Sequence, residues 1–439
     1  GLVAGVLFRE DDARRRLGGE LATPRLFNSR IDARLRAGQT RVGSFVEEEF
    51  FYPFVGEVGR FAGRQRYIRD EDYFAWSYGT PDAPAHLLLP VERERAEFTV
   101  AARFGEPGRL TVLGLGVSLD RLEFEEIGAT EQVLDNRFGD PTPAPPELAA
   151  LLAPQLRHAA APRINLLLGQ RNIRFVERVG LDALQGVADL EVGMEAALTL
   201  GRSIGANPRR DEPKDLFTRA RLYAATAPEP FVLIGNAAFE GRHVIDGIDG
   251  REGWRDILAE VDLMAYWQPR EAGRHTFFVR VAGAGGWRVD LPFQLTLGGA
   301  GGVRGFRNED FPGSRRILIS AEDRFYLGWP FPDLFDLGGT LVADAGRMWA
   351  DDLGLGTDSG WRGTVGAGLR FGFPAGSRSI ARVDVGMPFG GDGDFGDLVL
   401  RVSFRDLIGF TAGLEDVQMA RSRRSRIGAD VFSPVRAIR

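Results

Sequence analysis

Apolar and polar residues alternate along much of the chain with a period of two. In residues 27–36 the odd positions are mostly apolar and the even positions are all polar. The alternation returns in residues 95–104, 257–267 and 398–405. Strict alternation places successive side chains on opposite faces of a sheet, so the pattern predicts antiparallel strands with one apolar and one polar face.

About sixteen strands are predicted, and many of them have about 10 residues, which is longer than the ~5–6 typical of soluble sheets. They are 2–8, 25–36, 41–51, 93–104, 110–124, 163–178, 189–202, 216–226, 231–242, 254–267, 275–284, 316–327, 339–349, 361–373, 380–387 and 398–404. Connections after the odd strands are long and polar: 9–24, 52–92, 125–162, 203–215, 243–253, 285–315, 350–360 and 388–397. Those after the even strands are mostly tight, which is typical of an outer-membrane barrel with an even strand number.

A soluble antiparallel sandwich with one wet face is the alternative for any single segment. A sandwich gives no reason for long and short connections to alternate, and the predicted strands carry charges of both signs on their polar face, as a wet lumen would. In hydrocarbon every backbone N–H and C=O group must be paired, which an open sheet edge does not allow. We therefore predict an all-β fold, a transmembrane antiparallel β-barrel, over residues 1–405.

Two stretches break the pattern. Residues 146–161 hold four leucines at roughly helical spacing and predict a short helix in the third outer loop, for local packing or for a partner. Residues 406–439 are a polar, basic tail with the run Arg-Ser-Arg-Arg-Ser-Arg at 421–426. We predict a solvated, weakly ordered tail. Three of its residues could anchor it to a partner: Phe432, Pro434 and Val435.

Composition narrows the possible functions. The 439 residues include 57 Gly, 24 Pro and no Cys, and 44% are hydrophobic, which is enough for a folded body and excludes general disorder. Without Cys there are no disulfides, thiolate catalysts or Cys-based metal sites. The four His residues are scattered, so we predict no metal and no cofactor, and the net charge of −6 gives no electrostatic footprint for nucleic acid.

The most informative stretch runs from residue 298 to residue 349. A glycine-rich run, 298–302, precedes Val303, Arg304, Gly305 and Phe306. A phosphate-binding loop is excluded because no strand–loop–helix pattern follows and the chain has no Gly-Lys-Ser/Thr. In the next two predicted strands, alternation places two acids, Glu322 and Asp344, on the polar face, so both are predicted to point into the lumen.

This combination resembles the hallmark of the BamA/TamA/FhaC superfamily of outer-membrane assembly and secretion proteins, also called the bacterial surface antigen family. In that superfamily the sixth outer loop folds into a sixteen-stranded barrel, and acids of the inner wall hold the arginine of its V/I-R-G-F/Y tip. The resemblance implies that residues 303–306 are the tip and that Glu322 and Asp344 are its wall partners. Gly346, with Asp344, and Trp349 match the superfamily's D-x-G pattern. The match covers about the last third of the chain.

We hypothesise that Arg304 locks this loop, because an arginine inside a barrel needs compensating charge and two acids can accept bidentate hydrogen bonds from it. The resemblance implies insertion of outer-membrane proteins, or translocation of a polypeptide, in the outer membrane of a Gram-negative-type cell. The implied partners are outer-membrane lipid and lipopolysaccharide, and client polypeptides or periplasmic and outer-membrane proteins. The seam between strands 2–8 and 398–404 would be a weak gate to which a client strand adds.

The chain departs from the superfamily's pattern at both ends. No POTRA domain is visible, so we expect that such domains lie upstream of Gly1 or that the protein is a barrel alone. Residues 405–439 follow the predicted last strand, which normally ends the chain in the superfamily. The alternative function is a non-catalytic scaffold barrel that holds partner proteins, and a simple pore is disfavoured because the inserted loop would obstruct it. We predict no enzyme, since no G-x-S-x-G elbow accompanies a Ser/His/Asp set.

Overall fold

The computed structural model describes residues 1–11, 13–54, 56, 59–80, 83–135, 138–153, 156–157, 159–204, 214–246, 252–269, 274–299, 302–328, 331, 333–351, 353–377, 379–390, 398–406 and 416–423. Within these residues the fold is all-β and is dominated by one sheet of twenty strands. Eighteen of them are long and are labelled here β1 Val3–Asp11, β2 Arg14–Thr23, β3 Asp32–Gln39, β4 Ser44–Tyr52, β5 Phe61–Ser77, β6 His86–Glu106, β7 Arg109–Phe124, β8 Ala159–Val179, β9 Val187–Ser203, β10 Lys214–Thr226, β11 Phe231–Asp246, β12 Gly253–Trp267, β13 His275–Trp287, β14 Arg315–Tyr326, β15 Asp336–Trp349, β16 Gly360–Gly372, β17 Ser379–Gly390 and β18 Val399–Asp406.

The remaining elements are short. Strands Glu131–Val133 and Thr142–Pro143 extend the sheet beside β6, and Leu295–Thr296 pairs with Pro312–Gly313 as a separate hairpin. Two 3₁₀ turns and two α-helices complete the described elements: Leu26–Asn28, Ile127–Ala129, α1 Pro146–Ala150 and α2 Val417–Ser422. Every helix in the described part of the chain is too short or too polar to span a bilayer.

Each long strand pairs in antiparallel fashion with the long strand that follows it in sequence, from β1 through to β18. All eighteen therefore belong to one meander rather than to two stacked sheets. The soluble sandwich, raised as the alternative for single segments, is wrong for this chain.

The described chain has more long strands than the sixteen predicted, because two strands lie in stretches that the sequence assigned to connections. β2 carries three arginines and two glycines, so only Leu17 and Leu21 mark its outward face. β5 has Gln65, Arg69 and Glu71 at outward positions, so apolar and polar residues do not alternate there. The predicted strand 25–36 is also wrong at its start, since a 3₁₀ turn precedes β3.

The two faces of the sheet differ in polarity in the sense opposite to that of a soluble protein. In β7, Leu115 and Val117 are 58% and 49% exposed, whereas Ser118 and Asp120 are each only 6% exposed. Apolar side chains are thus outward and polar side chains inward, which is the arrangement of a wall that faces lipid. The same outward apolar face includes Phe98, Val100, Leu113, Ile164, Leu200, Leu222, Leu263, Leu341 and Leu369.

The two longest connections lie at the same end of the strands, because in a meander successive connections lie at alternate ends of the strands. They are 125–158 after β7 and 288–314 after β13, whereas the short turns 107–108 and 227–230 lie at the opposite end of the strands. For these connections the prediction of long loops at one end of the strands and tight turns at the other is correct. The prediction is wrong at the start of the chain, where only 12–13 separate β1 from β2 at the end of the strands that carries the long loops.

The connection 288–314 fills the space on the inner face of the sheet. Its Phe293, Leu295 and Leu297 are fully buried and form a core with Leu258 of β12 and Leu318 of β14. A second core lies under the connection 125–158. Because buried apolar surface stabilises the fold at roughly 25 cal/mol per Å², both connections are fixed parts of the structure.

Two other sequence predictions need correction. The helix predicted over 146–161 is only Pro146–Ala150, and β8 already begins at Ala159; Leu152 and Leu156 nevertheless pack locally, against Phe74 and Trp76. The tail is not uniformly solvated, because α2 lies against the inner face with Met419 and Arg423 fully buried. Phe432, Pro434 and Val435 lie outside the described residues.

Candidate functional site

The tip of the connection 288–314 is held against β14, β15 and β16. The backbone N–H of Val303 donates to the carbonyl of Leu297 at 3.0 Å, and the Val303 side chain is buried. Gly305 has φ +88°, a conformation that side-chain-bearing residues rarely adopt. The Thr364 hydroxyl donates to the carbonyl of Arg304. The backbone is thereby turned so that the Arg304 side chain points at the wall.

Two acids of adjacent strands form the wall partner of this tip. Ser320 of β14 lies opposite Asp344 of β15, and Glu322 lies opposite Val342. Glu322 and Asp344 are therefore diagonal neighbours on one face of the sheet, close enough for one long side chain to reach both. Both are buried on the inner face, as the alternation of their strands predicts.

Arg304 joins the two acids through all three nitrogen atoms of its guanidinium group. Its Nε and Nη2 donate to Asp344 Oδ2 and Oδ1 at 2.5 and 2.6 Å, a bidentate pair. Its Nη1 donates to Glu322 Oε1 at 2.5 Å. The backbone N–H of Arg304 also donates to Asp344 Oδ2, at 3.2 Å. The sequence-predicted trio of Arg304, Glu322 and Asp344 is thus brought together in one contact.

The charge balance of the trio favours the ionised form of the arginine. Burial by itself lowers the pKa of the Arg304 guanidinium, but the hydrogen bonds to Asp344 and the charge of Glu322 outweigh it, so this pKa lies above its ordinary value. Charge-assisted bidentate bonds are roughly twice as strong as neutral ones. The desolvation cost of the buried guanidinium is therefore offset by the two acids.

A wider network of ion pairs surrounds Glu322. Arg324 donates from Nε to Glu322 Oε2 at 2.7 Å, and Arg382 of β17 donates from Nη2 to Oε1 at 3.1 Å. Arg324 also reaches Asp182, in the connection between β8 and β9, at 2.6 Å. The alternation of β14 places Arg324 beside Glu322 correctly. Arg382 and Asp182 were missed: Arg382 has the inward phase of its strand, and Asp182 carries no sequence signal.

The two remaining motif residues, Gly346 and Phe306, act through packing. A Cβ placed on Gly346 would lie 2.7 Å from Val303 Cγ2, 2.9 Å from Leu297 Cδ1 and 3.0 Å from Leu318 Cδ2. Only glycine therefore lets the valine of the tip lie flat on β15. Phe306 is partly buried beside the same core, with its ring edge-to-face against Phe311 at 5.6 Å.

Replacing Gly346 with valine is expected to displace the tip, because overpacking of a buried contact costs about 1–3 kcal/mol. Limited trypsin digestion of the purified protein measures this through cleavage after Arg307, an exposed residue of the tip. Cleavage should become faster than in the parent. Gly5→Val is the matched control, since a Cβ at Gly5 would meet nothing within 4 Å. Equal cleavage of the Gly346 variant and the parent would show that this packing does not hold the tip.

In the described residues the acids of the site are held by arginines rather than grouped as metal ligands. No group of three or more His, Asp or Glu side chains in that part of the chain could hold a metal ion. The acids of the site are instead hydrogen-bonded to arginines. A cavity of about 370 Å³ with walls of mixed charge lies next to the trio, lined among others by Glu260, Asp262, Arg280 and Arg401. The arrangement can fix a loop by charge, and it can offer both signs of charge to a polar chain.

Comparisons with known proteins give similarities to solved barrel structures. No protein-family model matches the chain, and no curated protein matches it. BamA from Haemophilus ducreyi lacking POTRA domains 1–3 is 12% identical, with a TM-score of 0.44, over 92% of this chain and 70% of that one.

Two structures of CdiB are also similar. CdiB from Acinetobacter baumannii is 10% identical with a TM-score of 0.40, over 92% of this chain and 58% of that one. CdiB from Escherichia coli is 13% identical with a TM-score of 0.36, over 85% of this chain and 62% of that one. The chain therefore spans less than two thirds of the length of either CdiB chain.

Proposed function

We propose that this chain is an outer-membrane β-barrel of the BamA/TamA/FhaC superfamily that inserts outer-membrane proteins or translocates a polypeptide across the outer membrane. The contact of Arg304 with Glu322 and Asp344 carries this proposal. The residues at 303–306 and 346, together with the two acids, match the superfamily's motif one by one. They also form one packed unit in which Arg304 is hydrogen-bonded to both acids.

The polarity of the sheet supports a position in a bilayer. An inward face of paired charges and an outward face of exposed apolar side chains would be unstable in water and stable against hydrocarbon. Outer-membrane lipid and lipopolysaccharide then contact the outward face. In a bilayer the two edge strands, β1 and β18, must find partners for their backbone groups, and we propose that they pair with each other to close the barrel.

The client polypeptide would use the same pairing. A strand of the client adds to an exposed sheet edge through backbone hydrogen bonds, which require no particular client sequence. The connection 288–314 lies on the inner face and is anchored by Arg304 to β14, β15 and β16, so these strands stay fixed while the seam opens. Opening at one edge leaves the ion pairs of Glu322 and Asp344 intact.

Depletion of the protein in its own host tests the proposal. The amounts of other outer-membrane barrels, or of a secreted polypeptide, should fall several-fold and recover when the wild-type gene is supplied. An outer-membrane lipoprotein, which is not a barrel, is the control and should be unchanged. Normal levels of barrels and secreted proteins, combined with loss of co-purifying subunits from their complex, would overturn the proposal in favour of the scaffold barrel.

A further inference from the structure

Residues 416–423 form a structured segment on the inner face, beyond the last strand. Asp416 is the N-cap of α2: its carboxylate accepts from the backbone N–H groups of Gln418 and Met419 at 2.9 and 3.2 Å. A capping aspartate stabilises a helix by satisfying donors that have no partner within the helix. The segment is therefore locally ordered by its own sequence as well as by its surroundings.

One end of this segment is bonded to the connection 288–314. The side-chain oxygen of Gln418 accepts from the backbone N–H of Thr296 and from Arg316 Nη1, both at 2.9 Å. The Gln418 amide donates to the Thr296 hydroxyl at 2.6 Å. Arg316 also pairs with Asp416. The fully buried side chain of Met419 joins the same core as Leu297, so polar and apolar contacts fix the same position.

The segment is also bonded to two strands that are far apart in the sheet, β6 and β12. Arg423 donates to Glu260 of β12 at 2.5 Å, and its carbonyl accepts from Arg95 of β6, also at 2.5 Å. The backbone N–H of Asp416 donates to the same Glu260 at 3.0 Å. Arg93 of β6 donates to the carbonyl of Arg421. The segment thus links β6 to β12 on the inner face.

We propose that the inner face carries a binding site for a short helical peptide and that residues 416–423 occupy it as an intramolecular plug. The site recognises a capping acid through Arg316, one apolar side chain in the position of Met419, and a terminal arginine through Glu260. Because its described contacts with the wall are single hydrogen bonds and ion pairs rather than a strand ladder, the segment can leave without unfolding the sheet.

The plug is tethered to β18, so it competes at high effective concentration with any peptide that enters from outside. In the proposed function a client polypeptide that crosses the inner space must displace it. This gating role rests on the proposed function, whereas the occupied site rests only on the contacts described above.

The absence of native cysteine allows a direct test by thiol labelling. In the full chain, Met419→Cys should react with a maleimide at least about tenfold more slowly than Thr357→Cys, an exposed control, because a buried thiol reacts only when its segment opens. Equal labelling rates at the two positions would overturn the proposal.

A charge swap tests the recognition. Adding Arg423→Glu to Met419→Cys places two acids together at Glu260 and should raise the labelling rate about tenfold by shifting the segment towards its open state. Adding Glu260→Arg as well restores an ion pair of reversed polarity and should lower the rate again. An unchanged rate in the first variant would show that this pair does not hold the segment.

Ion conductance in a planar lipid bilayer tests the gating role separately. The Arg423→Glu variant should conduct more than the parent, and the variant with the swapped pair should conduct as little as the parent. If labelling follows the expected order while conductance does not change, the segment binds but is not a plug. Depletion in the host, which tests the proposed function, does not depend on either outcome.

Discussion

Replacing Arg304 with alanine is expected to leave a folded protein that unfolds at a clearly lower temperature. In the described residues, every side-chain hydrogen bond to the buried Asp344 carboxylate comes from Arg304, so the variant leaves that carboxylate with the backbone N–H of residue 304 but without its charged partner. Removing one partner of a buried ion pair costs about 3–5 kcal/mol. The measurement is heat-modifiability, the temperature at which the unheated band on a gel shifts to the position of the unfolded chain.

A double variant separates this contact from a general loss of stability. Arg304→Ala combined with Asp344→Ala removes the unpaired carboxylate together with the guanidinium, so its transition should lie above that expected from the sum of the two single variants. Arg288→Ala, at an exposed arginine of the same connection, is the control and should behave like the parent. If Arg304→Ala shifts no more than Arg288→Ala, the trio does not lock the connection.

The placement of the two acids follows from the sequence because both lie within regular strands of known phase. Once β14 and β15 are placed, alternation fixes Glu322 and Asp344 on one face, and the short motif supplies Arg304. Arg382 and Asp182 could not be assigned to the site in this way. Their contacts cross long stretches of chain and depend on how the sheet curves, which no local period records.

The strands also divide into those that the sequence pattern predicts and those that it does not. Strands whose outward side chains are mostly apolar, such as β7, alternate clearly between apolar and polar residues, and the sequence pattern predicts them. β5 was missed because polar residues face outward along part of it, and β2 because glycine and arginine dilute its pattern. The tail was predicted from its charge alone. The position of its described residues, 416–423, depends on Glu260 and Arg316, whose inward charges pair with a segment that composition would assign to solvent.

The edges of the sheet are the places where the structure has the most unpaired backbone. β1 is ladder-paired with β2 and β18 with β17 in the described residues, and Val6 of β1 is 86% exposed. An unpaired backbone group in hydrocarbon costs several kcal/mol. In a bilayer the two edges are therefore driven either to pair with each other or to pair with an incoming strand. A gate at this seam exchanges one set of backbone bonds for another, so its opening need not cost the full loss.

Joining the two edges by a disulfide is expected to abolish the proposed assembly or translocation activity while leaving the fold intact. Cysteine pairs are placed with one member in residues 3–8 and the other in 399–403, and a gel shift shows which pairs oxidise. Activity should be lost on oxidation and return on reduction, because a client strand cannot add to a covalently closed seam. Val6→Cys with Gly19→Cys, directly paired positions of β1 and β2, is the matched control and should stay active when oxidised. Full activity of the oxidised seam variants, or failure of every seam pair to form a disulfide, would show that β1 and β18 are not the gate.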